Sequence, residues 1–501
     1  MATESPRRVL FYLSVLGVIA YGALLIENMS SGVGGSDSSG YANTARLILS
    51  GRASAPVEGP GRLGLPERFD YAFIPLAFEP GPRPRTMSSI YPPGFPLHIA
   101  AAALVAGWNA GPFIVSPIAG ILGVMAMFLL ARELGLSRPF ALAGAAILGG
   151  CAVYLFQTLQ PMSDVAATAW SLGAILFAMR SRRGDGWAVA AGAAFGIAVL
   201  VRPSSTLLAI PLIFALRWRP KTIALFLLGG APFAAFLLVW NHAAYGHYFR
   251  TGYSGLLGGQ MALAHFAPRF RHYGHWLIVQ LSPLIPLGGL AAAFDRRVPG
   301  RDRAMILTWF LAFFLSYCLW GPYETWWYTR FLLPALPALI LGSLLVARDL
   351  IRPLVERQES GPKARRLAVR AAAAVLLAAI VGLAEWRAAR RLKPLSVGEQ
   401  QAVFPEACRA LSAKVPGRAL VASMEFSGAI RFYTELTPLM WNAISREDFA
   451  VVRARAAEAN YQILALLTPL ELEAERPQLP GRWTLIGRVR GASLWELEPD
   501  P

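Results

Sequence analysis

Five ionisable residues stand in settings that suit chemistry better than bulk solvation. Asp37 lies in the run Gly34-Gly35-Ser36-Asp37-Ser38-Ser39-Gly40-Tyr41, about ten residues past the first apolar segment. Asp164 closes Gln160-Pro161-Met162-Ser163-Asp164 just before another apolar segment, and Arg202 lies in Val201-Arg202-Pro203 between two more. Glu324 and Arg330 bracket Trp326-Trp327-Tyr328. A carboxylate beside a hydrophobic helix can take a proton as a general base. Guanidiniums bind phosphate oxygens in bidentate fashion. Carboxylates and guanidiniums at one membrane level suit a lipid-phosphate substrate and a proton transfer, because ionisable groups near a bilayer are costly and usually face a protein cavity. Each residue also has a plainer reading. Asp37 fits an Asx turn, and Ser163 or Asp164 fits a helix cap. Arg202 fits snorkelling to the headgroups, and the Trp326-Trp327-Tyr328 run fits an interfacial aromatic belt.

The elements that must position these residues are apolar helices. The chain has 501 residues, 55% of them hydrophobic and 15% charged, with a mean hydropathy of +0.45, a balance that excludes an ordinary soluble domain. Apolar segments read near 9–26, 112–131, 139–156, 165–179, 187–201, 204–218, 221–240, 276–294, 303–320, 331–347 and 367–385. The net charge of +17 does not point to nucleic acid, because the basic residues fall in short stretches between those segments. Arg132/Arg138, Arg180/Arg182/Arg183, Arg217/Arg219/Lys221, Arg296/Arg297/Arg301/Arg303 and Arg348 through Arg370 form one series of connections. The positive-inside bias assigns that series and the N-terminus to the cytoplasm. The opposite series, Asp37 included, is then outside.

Pro93 to Gly107 is apolar but short of the roughly 20 residues that cross a bilayer. Counting it as a crossing inverts the charge bias, so it reads as a re-entrant or juxtamembrane helix near 93–107 within a first external loop at about 27–111. About eleven crossings remain, with an external C-terminus. The first segment, after Arg7 and Arg8, has no small-x-small cleavage site and reads as retained.

Composition changes beyond about residue 390. Helical periodicity at 399–415 and 446–459 alternates with strand-like runs at 420–424 and 463–467, and 483–489 with 492–497 reads as a hairpin around Arg490-Gly491. Residues 1–390 thus read as a polytopic α-helical membrane domain and 391–501 as a small extracytoplasmic α/β domain. The three cysteines form no disulfide framework. Five of the six histidines (His242, His247, His265, His272, His275) fall between the seventh and eighth spans, among tyrosines and arginines. Their spacing is no zinc pattern. Phosphate contact or interfacial hydrogen bonding suits them better, and the loop reads as a lid over the substrate.

The sequence resembles the GT-C-fold glycosyltransferases that take sugars from polyprenyl phosphates, such as the protein O-mannosyltransferase-like, lipid A aminoarabinose transferase-like and rhizobial lipopolysaccharide-core-transferase-like proteins. The resemblance rests on Asp37-Ser38-Ser39-Gly40-Tyr41 with Ala42, Ala45 and Gly51, on Tyr91-Pro92-Pro93-Gly94-Phe95-Pro96 and on Pro161-Met162-Ser163-Asp164. Val201-Arg202-Pro203 and Tyr328-Thr329-Arg330-Phe331-Leu332-Leu333-Pro334 continue in the family's order, all within about residues 1–385. It implies that Asp37 is the first-loop base, that Tyr91-Pro92-Pro93 enters the juxtamembrane helix, and that Asp164 is a second external acidic residue of the catalytic site. It further implies an inverting glycosyltransferase acting on a polyprenyl-phosphate-linked sugar and a glycan, lipid or protein acceptor at the outer face of the plasma membrane. Tyr41, Tyr91, Arg202, His242, His247, Glu324 and Arg330 are then the substrate-binding candidates. Many relatives carry an adjacent acidic pair in the first loop, whereas Asp37 is followed by Ser38; this argues against a divalent metal there, and no cofactor is required. A transporter or lipid flippase is the alternative, but it calls for ionisable residues spread through the membrane and for repeated halves. The remaining alternative is a polytopic anchor that presents the C-terminal domain to a partner.

Overall fold

The computed structural model describes residues 6–254, 260–321, 324–356, 363–415, 417–475 and 479–498. Residues 357–362 of the basic stretch Arg348 to Arg370 lie outside the described residues. The first ten helices are α1 (Pro6–Asn28), α2 (Asp37–Leu49), α3 (Gly94–Ala106), α4 (Gly111–Glu133), α5 (Arg138–Gly150), α6 (Ala152–Thr158), α7 (Ser163–Arg180), α8 (Trp187–Val201), α9 (Ala209–Ala215) and α10 (Pro220–Tyr245). The chain divides into two compact units. One holds residues 1–29, 115–235 and 256–397; the other holds 30–114, 236–255 and 398–501.

The first unit is helical. Among the described residues, four helices are long and apolar enough to cross a membrane: α4, α10, and those at Trp326–Leu350 and Arg365–Leu392. The α5–α6 pair makes a fifth, bent by 65°. Several expected spans are thus broken. That at 204–218 is a 3-10 helix, Pro203–Leu208, followed by α9. That at 331–347 opens as a 3-10 helix, Trp326–Ala335. That at 276–294 is Phe266–Leu281 followed by Leu284–Ala291. Proline removes a backbone donor and resists the helix interior, and Pro203, Pro283 and Pro334 lie at or within these irregularities.

Ion pairs tie the basic connections together at one end of this unit. Glu133, at the end of α4, lies 3.7 Å from Arg180 and 2.7 Å from Arg183. Arg182 pairs with Asp302 at 2.7 Å, and Arg217 with Asp185 at 3.8 Å. Arg132, Arg138, Arg297 and Arg348 line one cavity. All five basic stretches therefore share an end. Asp164 is in the first turn of α7 and Arg180 in its last, so a helix of roughly 27 Å separates Asp164 from that end.

The second unit holds two sheets. β1 (Ser54–Pro56), β2 (Phe78–Pro80) and β3 (Thr86–Ser89) form an antiparallel sheet in the order β1-β3-β2. β4 (Ala419–Ala422), β5 (Thr437–Leu439), β6 (Gln462–Leu467), β7 (Trp483–Val489) and β8 (Ala492–Leu497) form a mixed sheet in the order β5-β4-β6-β8-β7. β5, β4 and β6 run parallel, while β8 pairs antiparallel with both β6 and β7. Its core packs Val421, Leu464, Leu466 and Leu494 against Cys408, Leu411 and Phe426. The hairpin around Arg490-Gly491 is present, with both residues at positive φ. The first-loop strands, β5 and the helix Ser427–Tyr433 are additions to what the sequence pattern gives, being too short to register a period.

This unit packs the chain's two ends together. Asn43 Nδ2 donates to the Gly428 carbonyl at 2.9 Å and Arg46 to the Phe432 carbonyl at 2.7 Å. The Tyr433 hydroxyl accepts from the Val33 N–H at 2.8 Å, and Ser427 from that of Leu76 at 3.1 Å. A Cβ on Gly32 or Gly34 would collide with Gln401 or Phe404, so these glycines permit the approach.

Candidate active site

Asp37 is the first residue of α2, where the helix dipole favours a negative charge. The Gly34-Gly35 pair precedes it, with Gly35 at φ +58°. The Asx turn expected of a Gly/Ser run thus gives way to a helix start. The Tyr91 phenol donates a hydrogen bond to the Asp37 carboxylate. Ser36 Oγ lies 2.9 Å from the same phenolic oxygen, and since the phenol's hydrogen goes to Asp37, Ser36 donates. Burial first, then the charge of Asp37 and the nearby Tyr41 and Tyr253, holds the Tyr91 phenol protonated well above the usual tyrosine range. Tyr91 is therefore a fixed donor.

Aromatic rings enclose this pair. Tyr41 and Tyr91 have ring centroids 4.6 Å apart, Tyr41 and Phe95 5.0 Å, and Tyr91 and Tyr253 6.4 Å. Gly40 makes the packing possible, because a Cβ there would stand 2.6 Å from Tyr91 Cε2 and clash with Ala77. The segment carrying Tyr253 is anchored to the first-loop sheet by Tyr245, which donates to the Ser89 carbonyl at 2.6 Å, and by Ser88, which donates to that of Ala244 at 2.6 Å. A half-buried carboxylate with its donor fixed and an aromatic wall beside it can accept a proton from a hydroxyl.

The other unit holds the second cluster. Asp164 is fully buried. Arg202, between α8 and the 3-10 helix that follows, donates to one of its carboxylate oxygens. Arg330, in the 3-10 helix Trp326–Ala335, lies 4.0 Å from the other. Both guanidiniums lie over the Phe331 ring, at 5.6 and 5.4 Å from its centroid, and Arg330 also over Tyr328 at 5.4 Å. One carboxylate thus faces both guanidiniums, Arg202 on one oxygen and Arg330 on the other. Asp164 is engaged as a counter-ion to Arg202 and Arg330.

The broken helices supply the geometry, and a side chain repairs the break. Gln280 Oε1 accepts from the Val153 N–H at 2.8 Å, just past the α5–α6 bend, while its Nε2 donates to Thr329 Oγ1 at 3.0 Å. Non-helical backbone at membrane depth persists only where such partners satisfy it. Gln280 thereby ties the bend to the element bearing Arg330.

The remaining candidates are not drawn into these clusters. Glu324 is exposed, with no ion pair among the described residues, though its charge reaches His272. His242 stacks on Tyr248 at 4.4 Å and His247 packs near Phe249, both at exposed positions. From that segment it is Tyr253 that joins the Asp37 cluster. Tyr253, Gln280 and Thr329 had weak sequence signals: a tyrosine among several, and a lone amide inside the apolar run Ile278-Val279-Gln280-Leu281. No three His, Cys, Asp or Glu side chains gather into a metal-ligand set among the described residues.

The chain is similar to ArnT from Cupriavidus metallidurans in a structure bound to undecaprenyl phosphate. The TM-score is 0.59 at 13% identity, over 97% of this chain and 99% of that one. The apo state of the same protein gives 0.54 at 14% identity, over 98% and 99%. An oligosaccharyltransferase from Archaeoglobus fulgidus, tethered to an acceptor peptide containing the NVT sequon, gives 0.53 at 14% identity, over 91% of this chain and 69% of that one. These are GT-C-fold glycosyltransferases, and the likeness at this identity is one of fold: the chain has the polytopic membrane fold of the GT-C class. No protein-family model and no curated protein matches it.

Proposed function

We propose that this chain is an inverting glycosyltransferase that moves a sugar from a polyprenyl-phosphate donor to an acceptor hydroxyl on the extracytoplasmic face. The observation that carries the reading is the Asp164–Arg202–Arg330 arrangement within a GT-C fold. Two guanidiniums set by a buried carboxylate suit a phosphate monoanion or dianion. The bound undecaprenyl phosphate in the ArnT structure supports the same donor class.

Asp37 accepts the acceptor hydroxyl's proton as that oxygen attacks the anomeric carbon. The bond from that carbon to the phosphate oxygen breaks on the opposite side, inverting the configuration. The polyprenyl phosphate leaves as an anion, and Arg330 with Arg202 stabilises the charge. Asp164 acts as a positioning residue for both. By the charge bias of the sequence, the arginine-rich connections are cytoplasmic and Asp37 is extracytoplasmic. The C-terminal α/β region holds α2 in place and is then extracytoplasmic. No step draws on a cofactor.

The test is purified full-length protein incubated with a labelled polyprenyl-phosphate sugar and a panel of acceptors. Wild-type protein is expected to release polyprenyl phosphate and label an acceptor. Asp37→Asn is expected to lose about 100-fold or more in transfer while keeping its thermal transition. Transfer by that variant at the wild-type rate removes Asp37 as base.

A further inference from the structure

The basic end of the first unit contains a cavity of about 990 Å³. Among the described residues, seven arginines line it against two carboxylates, Asp349 and Glu356, an excess of five positive charges. Arg348 forms a two-pronged pair with Asp349 at 2.9 and 2.6 Å, and Arg352 pairs with Glu356. Arg297 donates to the Asp349 carbonyl at 3.0 Å, and Arg132 to that of Leu136. Among the described residues, the side chains of Arg138, Arg366 and Arg370 have neither hydrogen bond nor ion pair.

A second, independent observation lies in the same wall. Ser137 precedes α5 and lines the cavity, yet makes no capping hydrogen bond to the helix. Its hydroxyl oxygen is buried without a partner among the described residues. Buried polar atoms are ordinarily satisfied, and a helix N-terminus is a ready anion site. Ile351, Val355 and Leu367 in the lining set apolar surface alongside the charge.

We propose that this cavity binds an anion carrying two phosphate groups, with one phosphate at Ser137 and the start of α5 and the other among Arg138, Arg366 and Arg370. One guanidinium fork matches one phosphate edge, and an excess of five positive charges among the described lining residues is more than a single phosphate neutralises. The ligand is either the headgroup of an anionic lipid, whose chains those apolar side chains would meet, or a soluble diphosphate. The site is separate from the Asp164 cluster, at the far end of α7.

Native mass spectrometry of the full-length protein in detergent tests this with cardiolipin, phosphatidylglycerol and phosphatidylcholine. Calorimetry with inorganic pyrophosphate supplies the soluble arm. Wild-type protein is expected to bind at least one two-phosphate probe in preference to phosphatidylcholine. Replacing Arg138, Arg366 and Arg370 together by Gln is expected to weaken that binding roughly tenfold or more. The lipid-free thermal transition is expected to stay put, since those three arginines leave no partner behind. Cardiolipin binding without pyrophosphate binding identifies a lipid site; comparable pyrophosphate affinity identifies a soluble ligand. Wild-type protein that binds neither probe, or a triple variant with wild-type affinity for both, overturns the proposal.

Discussion

Tyr91 donates its phenolic hydrogen to Asp37, which lies 54 residues earlier in the chain and heads its own helix. That bond favours the charged form of the carboxylate and fixes its direction. Tyr91→Phe keeps the ring packing and removes only the donor. A drop of up to roughly tenfold in kcat/KM is expected, with the acid limb of the pH–rate profile moving to higher pH. The raised Tyr91 phenol stays neutral as pH rises through 10.0, the ordinary tyrosine value, so wild-type protein gains no basic limb from it. An acid limb that does not move in the variant dissociates Tyr91 from the base.

Asp164 is buried beneath Arg202 and Arg330. Asp164→Ala removes the buried carboxylate from both ion pairs, a loss of about 3–5 kcal/mol for a broken buried pair, visible as a lowered thermal transition. Asp164→Asn keeps the volume and is expected to raise KM for the lipid donor more than it lowers kcat. A flattened acid limb with unchanged donor KM instead points to proton transfer at Asp164.

Gly40→Ala puts a methyl group 2.6 Å from the Tyr91 ring. Overpacking of this kind costs about 1–3 kcal/mol. The displaced ring takes the Asp37 hydrogen bond with it, so activity should fall at least as far as in Tyr91→Phe. Full activity in Gly40→Ala means that the ring position is immaterial.

Glu425 sits beside the buried Glu471, which accepts backbone hydrogen bonds from Met424, Glu425 and Thr468 at 2.8, 3.0 and 2.9 Å. Burial, then the charge of Glu471, raises the Glu425 carboxyl above its ordinary 4.5. A raised carboxyl favours folding below that ordinary value and loses its contribution as pH rises through the folded value. Glu425→Gln should therefore raise the thermal transition by a few degrees at neutral pH, with the gain vanishing as pH falls toward 4.5. Lower stability of the variant at neutral pH contradicts the assignment.

The candidate residues are legible because they are ionisable groups close to apolar runs. Asp164, Arg202 and Arg330 stand at the edges of apolar runs and Asp37 in the first loop beyond one, and charge placement alone groups the arginine-rich connections that the structure gathers at one end. Less legible was what aligns them. The α2 helix begins inside a Gly/Ser run that reads as a turn, and Gly32, Gly34 and Gly40 work by close approach of distant residues, which a linear pattern does not encode. Gln280 was visible only as a polar residue among apolar ones; its role depends on a bend 127 residues away in sequence. Glu324, His242 and His247 show the converse, since suitable chemistry in a suitable loop did not bring them to either cluster.

The contact between Asn43 and Gly428 joins positions 385 residues apart. A ribosome adding roughly 5–20 residues per second separates their synthesis by roughly 20–80 s. Throughout that interval the helix headed by Asp37 exists without the strands and helices that later hold it. Completion of the packing around Asp37 is therefore among the last events in the protein's biogenesis, and a chain released early carries Asp37 without it.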